Sequence, residues 1–174
     1  MSNLNPRIYV VCRASCKADH EYGAWIDANQ SADDLKAAIK RALANSPVPR
    51  KYGWLIKDFE DFGAIQIEKK ASLDEVSELA KFVEEHGELG AQILVDTLCM
   101  DISEAKRVLT EDYQGPYDSK EDFARYMVDE VQCLGEIAPR LLPYIDYEYL
   151  ARDLFIDSYF AVELRGETHV FNYC

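Results

Sequence analysis

The sequence predicts an α+β protein with short strands at both ends of the chain and helices between them. Three observations support this class. Short β-branched and aromatic runs lie near the start, a helical apolar period begins at Ser72, and an alternating run with a glycine turn lies near the end. The chain has 174 residues and is 48% hydrophobic, so it is long enough for one ordinary domain or for two or three small domains sharing surfaces.

The N-terminal part is predicted to be a small β-sheet with one helix. Short apolar or alternating runs predict strands over residues 7–12, 23–28, 52–59 and 64–67. A turn near Gly63 separates the last two of these strands.

The helix of this part is predicted to begin at Ser31, because Asp34 follows three residues later in a capping-box pattern. Pro47 and Pro49 are predicted to end it. Its apolar face consists of Leu35, Ala38, Ile39, Ala42 and Leu43.

The middle of the chain is predicted to be an acidic helical bundle. Ser72 and Glu75 form a capping box at the first helix, and Gly87 is a natural C-cap for it. Three further helices are predicted over residues 88–98, 103–113 and 119–131, the last with Ser119 and Asp122 in capping positions.

The C-terminal part is predicted to combine helices with a β-hairpin. Pro139 and Pro143 restrict the backbone before an amphipathic run at residues 147–154. Residues 160–164 then alternate, Gly166 centres a turn, and the chain returns as a second strand.

The charge of the chain is strongly negative and unevenly distributed. The net charge is -13, but residues 1–70 hold 11 Lys/Arg against 9 Asp/Glu, whereas residues 71–130 hold 16 acids against 5 bases. Because such a chain is repelled by nucleic acid and by anionic membranes, the composition argues against direct binding to either and favours cationic partners.

Several common classes of protein lack support in the sequence. No phosphate-binding glycine loop, GxSxG, HExxH or EF-hand spacing is present, so we expect no enzyme activity, no cofactor and no metal. No secretory signal or bilayer-length apolar run is visible, and five cysteines without framework spacing fit reduced thiols. The expected location is therefore the cytoplasm.

Two features keep alternative interpretations open. Asp146 with Glu148, or Asp153 with Asp157, could flank a substrate or hold Mg²⁺, although solvated helix faces are the commoner explanation of such pairs. The aromatic residues of 144–160 fit either a core or a subunit interface, where tyrosine is enriched.

Carboxylates in helical rows can approach the charge density of DNA. Duplex DNA carries one negative charge per about 1.7 Å of axis. A helix with one outward carboxylate per turn gives one charge per about 5.4 Å, so three helices side by side give one per about 1.8 Å. Many acidic proteins meet this condition, so density alone does not establish mimicry.

Five segments of the chain resemble the ArdA antirestriction proteins in kind and order. They are RIYVVCRAS, GAWIDA, WLIKDFEDFG, YDSKEDFARYMVDEV and LGEIAPRLLPYIDYEYLARD, and the family's antirestriction motif falls on residues 134–146. ArdA proteins are encoded by conjugative elements, plasmids and phages, and they mimic DNA to inhibit type I restriction-modification enzymes.

The resemblance implies an elongated chain of three small domains, at residues 1–70, 71–115 and 116–174. It also implies a homodimer, and the methyltransferase core of a type I enzyme as the partner. Because residues 1–70 are slightly basic, it stays open whether they take part in the mimic.

The site residues implied by the resemblance form two groups. The acidic DNA-mimic surface comprises Asp74, Glu75, Glu78, Glu84, Glu85, Glu88, Asp101, Glu104, Glu111, Asp112, Asp118, Glu121, Asp122, Asp129, Glu130, Glu136, Asp146, Glu148 and Asp153. The dimer interface comprises Leu134, Leu141, Leu142, Tyr144, Ile145 and Tyr147.

Two other functions compete with the mimic. An acidic interaction module for another basic DNA-binding protein would bind in a salt-sensitive way but leave type I enzymes unaffected. A carboxylate-dependent enzyme would lose activity outright on one Asp→Asn or Glu→Gln change, whereas a mimic would respond gradually to the number of acids removed.

Overall fold

The computed structural model describes residues 4–13, 22–44, 53–96 and 101–173. The chain divides into two compact units, an N-terminal unit (residues 1–102) and a C-terminal unit (residues 103–174). Each unit contains a three-stranded antiparallel sheet, which confirms the α+β class and the placement of strands at both ends. The elongated outline and the division into three domains stay predictions.

The sheet of the N-terminal unit has the strand order β2-β1-β3, with both neighbours antiparallel to β1. The strands are β1 (Arg7–Cys12), β2 (Gly23–Asp27) and β3 (Trp54–Glu60), close to the predicted positions. The register between β1 and β3 shifts after Tyr9, where a β-bulge occurs.

Helix α1 (Ala32–Ala42) begins where the sequence predicts. The side chain of Ser31 accepts a hydrogen bond from the backbone N–H of Asp34 at 3.2 Å, which satisfies one of the free N–H groups of the first turn. Leu35 and Ile39 are buried. The two prolines that were predicted to end this helix lie outside the described residues.

Helix α2 (Leu73–Asp96) is interrupted at Gly87, where φ is 65° and ψ is -157°. A residue with a side chain would be strained in this conformation, so glycine is the residue that allows the break. The predicted division into two helices is therefore confirmed, although its last residues, 97 and 98, lie outside the described part. Ser72 caps the first segment by accepting from the N–H of Glu75 at 3.1 Å.

Residues 64–67 do not form the predicted strand. After Phe62 the chain turns, and the N–H of Ile65 donates to the carbonyl of Phe62 at 3.2 Å. Ile65 and Ile67 are buried nonetheless. The alternation that predicted a strand thus reflects burial of two isoleucines by an irregular segment.

The C-terminal unit begins with α3 (Ile102–Arg107), which continues as a π-helical turn, Val108–Asp112. The prediction of a helix to residue 113 is wrong at its end, because strand β4 (Tyr113–Tyr117) starts there. This strand was not predicted. It pairs antiparallel with the last strand of the chain, so its conformation depends on a distant partner.

Helix α4 (Lys120–Asp129) is capped by Ser119, which accepts from the N–H of Asp122 at 3.1 Å. It ends two residues before the predicted limit. A 3₁₀ helix, Pro139–Tyr144, follows an irregular stretch. Helix α5 (Tyr147–Asp157) then forms the amphipathic run expected from the sequence.

The predicted C-terminal hairpin is confirmed. Strands β5 (Tyr159–Leu164) and β6 (Glu167–Asn172) pair antiparallel, and the sheet order is β4-β6-β5. Arg165 and Gly166 connect them with φ angles of 54° and 86°, the positive values that two-residue hairpin turns require. Phe123 of α4 packs on this sheet in the core of the unit.

Candidate acidic binding surface

Most of the acids predicted for the mimic surface are on the outside of the two units. Fifteen of the nineteen side chains are exposed, three are half-buried and one is buried. The half-buried acids are Glu88, Glu104 and Glu121, and the buried one is Asp112.

In the N-terminal unit, an acidic stripe runs along the outer side of α2. Asp74, Glu78 and Glu85 lie at positions i, i+4 and i+11, with Lys81 between the last two. All four side chains are exposed, and the helix buries its opposite side. The rise of an α-helix places the three acids about 6 Å and about 10.5 Å apart along its axis.

The acids beside this stripe have local contacts. The Asn29 side-chain amide donates to Glu84, which links α2 to the loop after β2. The Glu85 carboxylate lies 3.6 Å from the Nε2 atom of His86. Ser77, on the buried side of α2, donates to the carbonyl of Gln30 at 2.6 Å. The contacts of Glu84 with Asn29 and of Ser77 with Gln30 hold the first segment of α2 against the rest of the unit.

In the C-terminal unit, Arg107 gathers three of the predicted acids. Its guanidinium lies 2.7 Å from Glu104, 3.0 Å from Asp112 and 3.8 Å from Glu111. Asp112 is buried against this cation, so we remove it from the outward acidic surface. This burial was not predictable from the sequence pattern, because a π-helical turn brings the two residues together.

Two helices of the C-terminal unit end on acids where helix electrostatics disfavour them. The last residues of α4 and α5 are Asp129 and Asp157, and neither helix has a basic residue in its last turn. The C-terminal end of a helix carries partial negative charge, so each acid there costs about 0.3 to 1 kcal/mol. Folding therefore does not explain why acids occupy these positions.

Cations of the C-terminal unit lie against aromatic rings. The Arg125 guanidinium is 4.2 Å from the centre of the Tyr147 ring, and the Lys120 ammonium is 5.0 Å from that of Phe155. The Arg152 guanidinium lies 6.0 Å from the Tyr149 ring. These contacts hold positive charge close to the protein surface while nearby carboxylates extend into solvent.

The predicted dimer residues are partly exposed apolar side chains. Leu134, Leu141 and Tyr144 are 53%, 51% and 84% exposed, and the other three are half-buried. Val131 and Ile156 are also exposed, which the sequence analysis did not predict. Helical spacing places Ile156 on the side of α5 opposite Tyr147, Ala151 and Leu154, so its exposure follows from the helical period.

An open cavity lies beside these apolar side chains. Its volume is about 480 Å³, and its lining combines a cation, an acid and apolar or aromatic groups. The lining residues are Arg125, Asp129, Leu142, Pro143, Ile145 and Tyr147.

The sheet of the C-terminal unit contains a polar pair between β4 and β6. The Tyr113 hydroxyl lies 2.7 Å from the Nδ1 atom of His169. Burial lowers the pKa of His169, and the carboxylates of Glu167 and Glu163 oppose this shift more weakly. Burial also raises the pKa of Tyr113. Both side chains are therefore neutral near pH 7, which suits a structural hydrogen bond.

The described ranges contain no group of three or more His, Cys, Asp or Glu side chains positioned to hold a metal ion. Within the same ranges, none of the helices is both long enough and apolar enough to cross a membrane.

The chain is a small α+β protein, and most of the acids predicted for its mimic surface are exposed on the two units. The family model for the antirestriction protein ArdA matches residues 8–166, which is most of the chain. The chain therefore belongs to the ArdA antirestriction family, as the sequence segments indicated. ArdA proteins are non-enzymatic inhibitors, and membership implies inhibition of type I restriction-modification enzymes. A search of the curated proteins found no match.

Proposed function

We propose that the exposed carboxylates imitate the charge and shape of bent B-form DNA. The protein then competes with DNA for the DNA-binding channel of a type I restriction-modification enzyme. The observation that carries this proposal is the placement of acids at the C-terminal ends of α4 and α5. Because acids at these ends lower the stability of the fold, binding to a cationic partner is the better explanation of their presence.

The spacing of the acids indicates how many helices the mimic needs. A DNA strand carries one charge per about 3.4 Å of axis, whereas the stripe on α2 gives carboxylates about 6 to 10 Å apart. One stripe is therefore too sparse, and acids from several helices must contribute. The predicted three-domain, elongated outline would supply them. A rod already shaped like bent DNA would avoid a bending cost of about 1 to 6 kcal/mol.

The proposed surface imitates the DNA backbone alone. Carboxylates can replace phosphates, but they present none of the base edges through which enzymes read sequence. We therefore expect the protein to inhibit type I enzymes of differing sequence specificity to a similar extent.

We also propose that the protein is a homodimer through the apolar segment of residues 131–147. Exposed Leu134, Leu141 and Tyr144 support this, because monomeric surfaces rarely expose neighbouring large apolar side chains. Tyr144 is almost fully exposed, and tyrosine is enriched in the buried centres of interfaces. A dimer would also double the number of carboxylates available to the target.

A titration tests the mimic. A type I methyltransferase core is bound to a labelled duplex, and the purified protein is added at two salt concentrations. We expect displacement of the duplex near one equivalent, with weaker displacement at high salt because the contacts are electrostatic. A duplex that stays bound at near-stoichiometric protein would refute the proposal. Salt-sensitive binding to a different basic protein in the same assay would favour the acidic interaction module.

A further inference from the structure

The N-terminal sheet has a polar and aromatic face directed away from the core. Direct cross-strand partners point to the same side of a sheet, and the register places two such rows side by side. One row is Asp27, Arg7 and Glu60, and the other is Trp25, Tyr9 and Asp58. We call these six residues the outward face. The opposite side carries the buried residues Ile8, Val10, Ile26 and Ile56.

The outward face already binds one guanidinium, which is its own. The Arg7 guanidinium carbon lies 5.4 Å from the centre of the Trp25 ring, and its Nη1 atom lies 3.0 Å from Glu60. The Tyr9 and Trp25 rings are in contact, with their centres 5.3 Å apart. Trp25 is 38% exposed, so this aromatic pair is accessible to a partner.

Two further carboxylates lie on the same face, and Arg7, the cation of these two rows, pairs with Glu60. Asp27 accepts a hydrogen bond from the N–H of Asn29, and Asp58 accepts one from the N–H of Phe59, both at 2.9 Å. Each bond engages the Oδ1 atom of its carboxylate, and both side chains are exposed. The two acids lie on the two edge strands, so they flank the aromatic pair.

The charge of the face selects between two classes of partner. Aromatic residues on a sheet can stack nucleic-acid bases, but such sites also carry cations for the backbone. Here Arg7 and Lys57, the extra residue of the bulge, contribute two positive charges against the three carboxylates of the two rows. The face is therefore net negative, which favours a basic polypeptide over nucleic acid.

We propose that the outward face is a docking surface for an arginine-bearing basic segment of the target enzyme. An arginine of the partner stacks on the Tyr9 and Trp25 rings and pairs with Asp58 or Asp27, in the way that Arg7 pairs with Glu60. This inference rests on the proposed function for the identity of the partner. Such a docking surface would give the slightly basic N-terminal part a role in binding that the acidic DNA-mimic surface does not give it.

Two variants and a control test the role of this face in duplex displacement. Trp25→Thr removes the indole ring, leaves the Tyr9 ring in place, and introduces a β-branched residue that suits a strand. The pair Asp27→Asn with Asp58→Asn removes two charges while retaining the acceptors for the N–H groups of Asn29 and Phe59. The control pair, Asp33→Asn with Glu68→Gln, removes two exposed charges elsewhere in the same unit.

We expect each test variant to require about threefold to thirtyfold more protein for half-displacement, as two exposed ion pairs or one cation–π contact would produce. The control pair should change this concentration less than twofold relative to the wild type. Equal effects of the two charge pairs, or an unchanged midpoint for Trp25→Thr, would overturn the proposal. Unfolding midpoints of all variants must match, and only variants that pass this check are compared.

A binding measurement on the free protein separates this inference from the proposed function. The indole N–H signal of Trp25 is followed by NMR while a tetra-arginine peptide, a tetra-glutamate peptide or oligo(dT) is added. The arginine peptide should shift this signal, and the Asp27→Asn/Asp58→Asn variant should weaken the shift. A signal that responds to oligo(dT) instead, or to none of the probes, would refute the docking surface. Should the wild type fail to displace duplex, the proposed function fails, and this titration still decides the docking surface.

Discussion

The two units build similar sheets and differ in the residues on their surfaces. Each sheet has three antiparallel strands, yet residues 1–102 hold 12 Lys/Arg against 17 Asp/Glu while residues 103–174 hold 7 against 15. Exposed large apolar side chains are also concentrated in the C-terminal unit. The N-terminal sheet forms without the larger excess of acids and without the exposed apolar side chains of the C-terminal unit. Both features of the C-terminal unit are therefore better explained by binding partners than by folding.

The largest expected effect is on dimerisation through the C-terminal unit. Tyr144→Asp would place an unpaired charge in the proposed interface, at a cost of about 3 to 5 kcal/mol, or a dimer roughly a hundredfold to several thousandfold weaker. Sedimentation equilibrium measures this change.

The matched control is Tyr173→Asp, the same substitution at an exposed tyrosine of the same unit. We expect this control to leave the dimer intact. A wild-type protein that is monomeric at micromolar concentration, or a dimer that tolerates Tyr144→Asp, would contradict the interface.

The next largest effect is the loss of binding to the enzyme when exposed acids are removed. The loss is compared between the two units. Removing three exposed acids from the C-terminal unit should weaken binding to the enzyme about threefold to 150-fold, because each exposed pair contributes about 0.2 to 1 kcal/mol. Any single change should cost at most about fivefold. The three changes are Asp118→Asn, Asp129→Asn and Glu130→Gln.

The control removes the same number of exposed acids from the N-terminal unit. It consists of Asp33→Asn, Asp61→Asn and Glu68→Gln. We expect less than half of the loss in binding free energy seen for the C-terminal set, as measured by duplex displacement. Equal losses would show that net charge alone matters, and a collapse on one substitution would point to a carboxylate enzyme.

A smaller effect is expected for two substitutions at the end of α4, which should raise the stability of the C-terminal unit and lower inhibition of the enzyme. Asp129→Asn and Glu130→Gln remove negative charge from the C-terminal end of α4, so each should stabilise the C-terminal unit by about 0.3 to 1 kcal/mol at low salt. Urea unfolding followed by circular dichroism measures this gain. The same variants should inhibit the enzyme less well. Lower stability, or unchanged inhibition, would remove the argument that these acids serve binding at a cost to folding.

The smallest expected effect is a pH dependence of the stability of the C-terminal unit. Burial lowers the pKa of His169 below 6.5, so the unfolded chain takes up the proton first as the pH falls. The contribution of His169 to the free energy of unfolding is therefore fully present above pH 6.5. It is lost as the pH falls through the pKa of His169 in the folded protein. An NMR titration of the His169 ring should give a pKa below 6.5, and His169→Gln should flatten the dependence. A ring pKa at or above 6.5 would contradict this account.

Local signals in the sequence predicted the helix starts well. Ser31, Ser72 and Ser119 each cap the helix that was expected from a capping pattern three residues long. Gly87 breaks α2 because of its own backbone freedom. These features depend on neighbours within one turn, so the sequence contains all the necessary information.

The sequence analysis did not predict the features that depend on distant residues. Strand β4 contains Gly115 and Pro116, which are poor strand formers, and it forms because β6 pairs with it. Pro116 is tolerated because β4 is an edge strand of the sheet. Among the site residues, the acids were predicted from composition and helical period. The burial of Asp112 beside Arg107 was not predicted, because it requires the π-helical turn between them.

The central claim is that this protein and DNA compete for one site on the enzyme. The most direct test labels the duplex and the protein with different fluorophores and measures both on one methyltransferase core. We predict mutually exclusive binding, with an apparent dissociation constant of the protein that rises in proportion to duplex concentration. A stable complex of enzyme, duplex and protein together would contradict the claim, even if that complex were inactive.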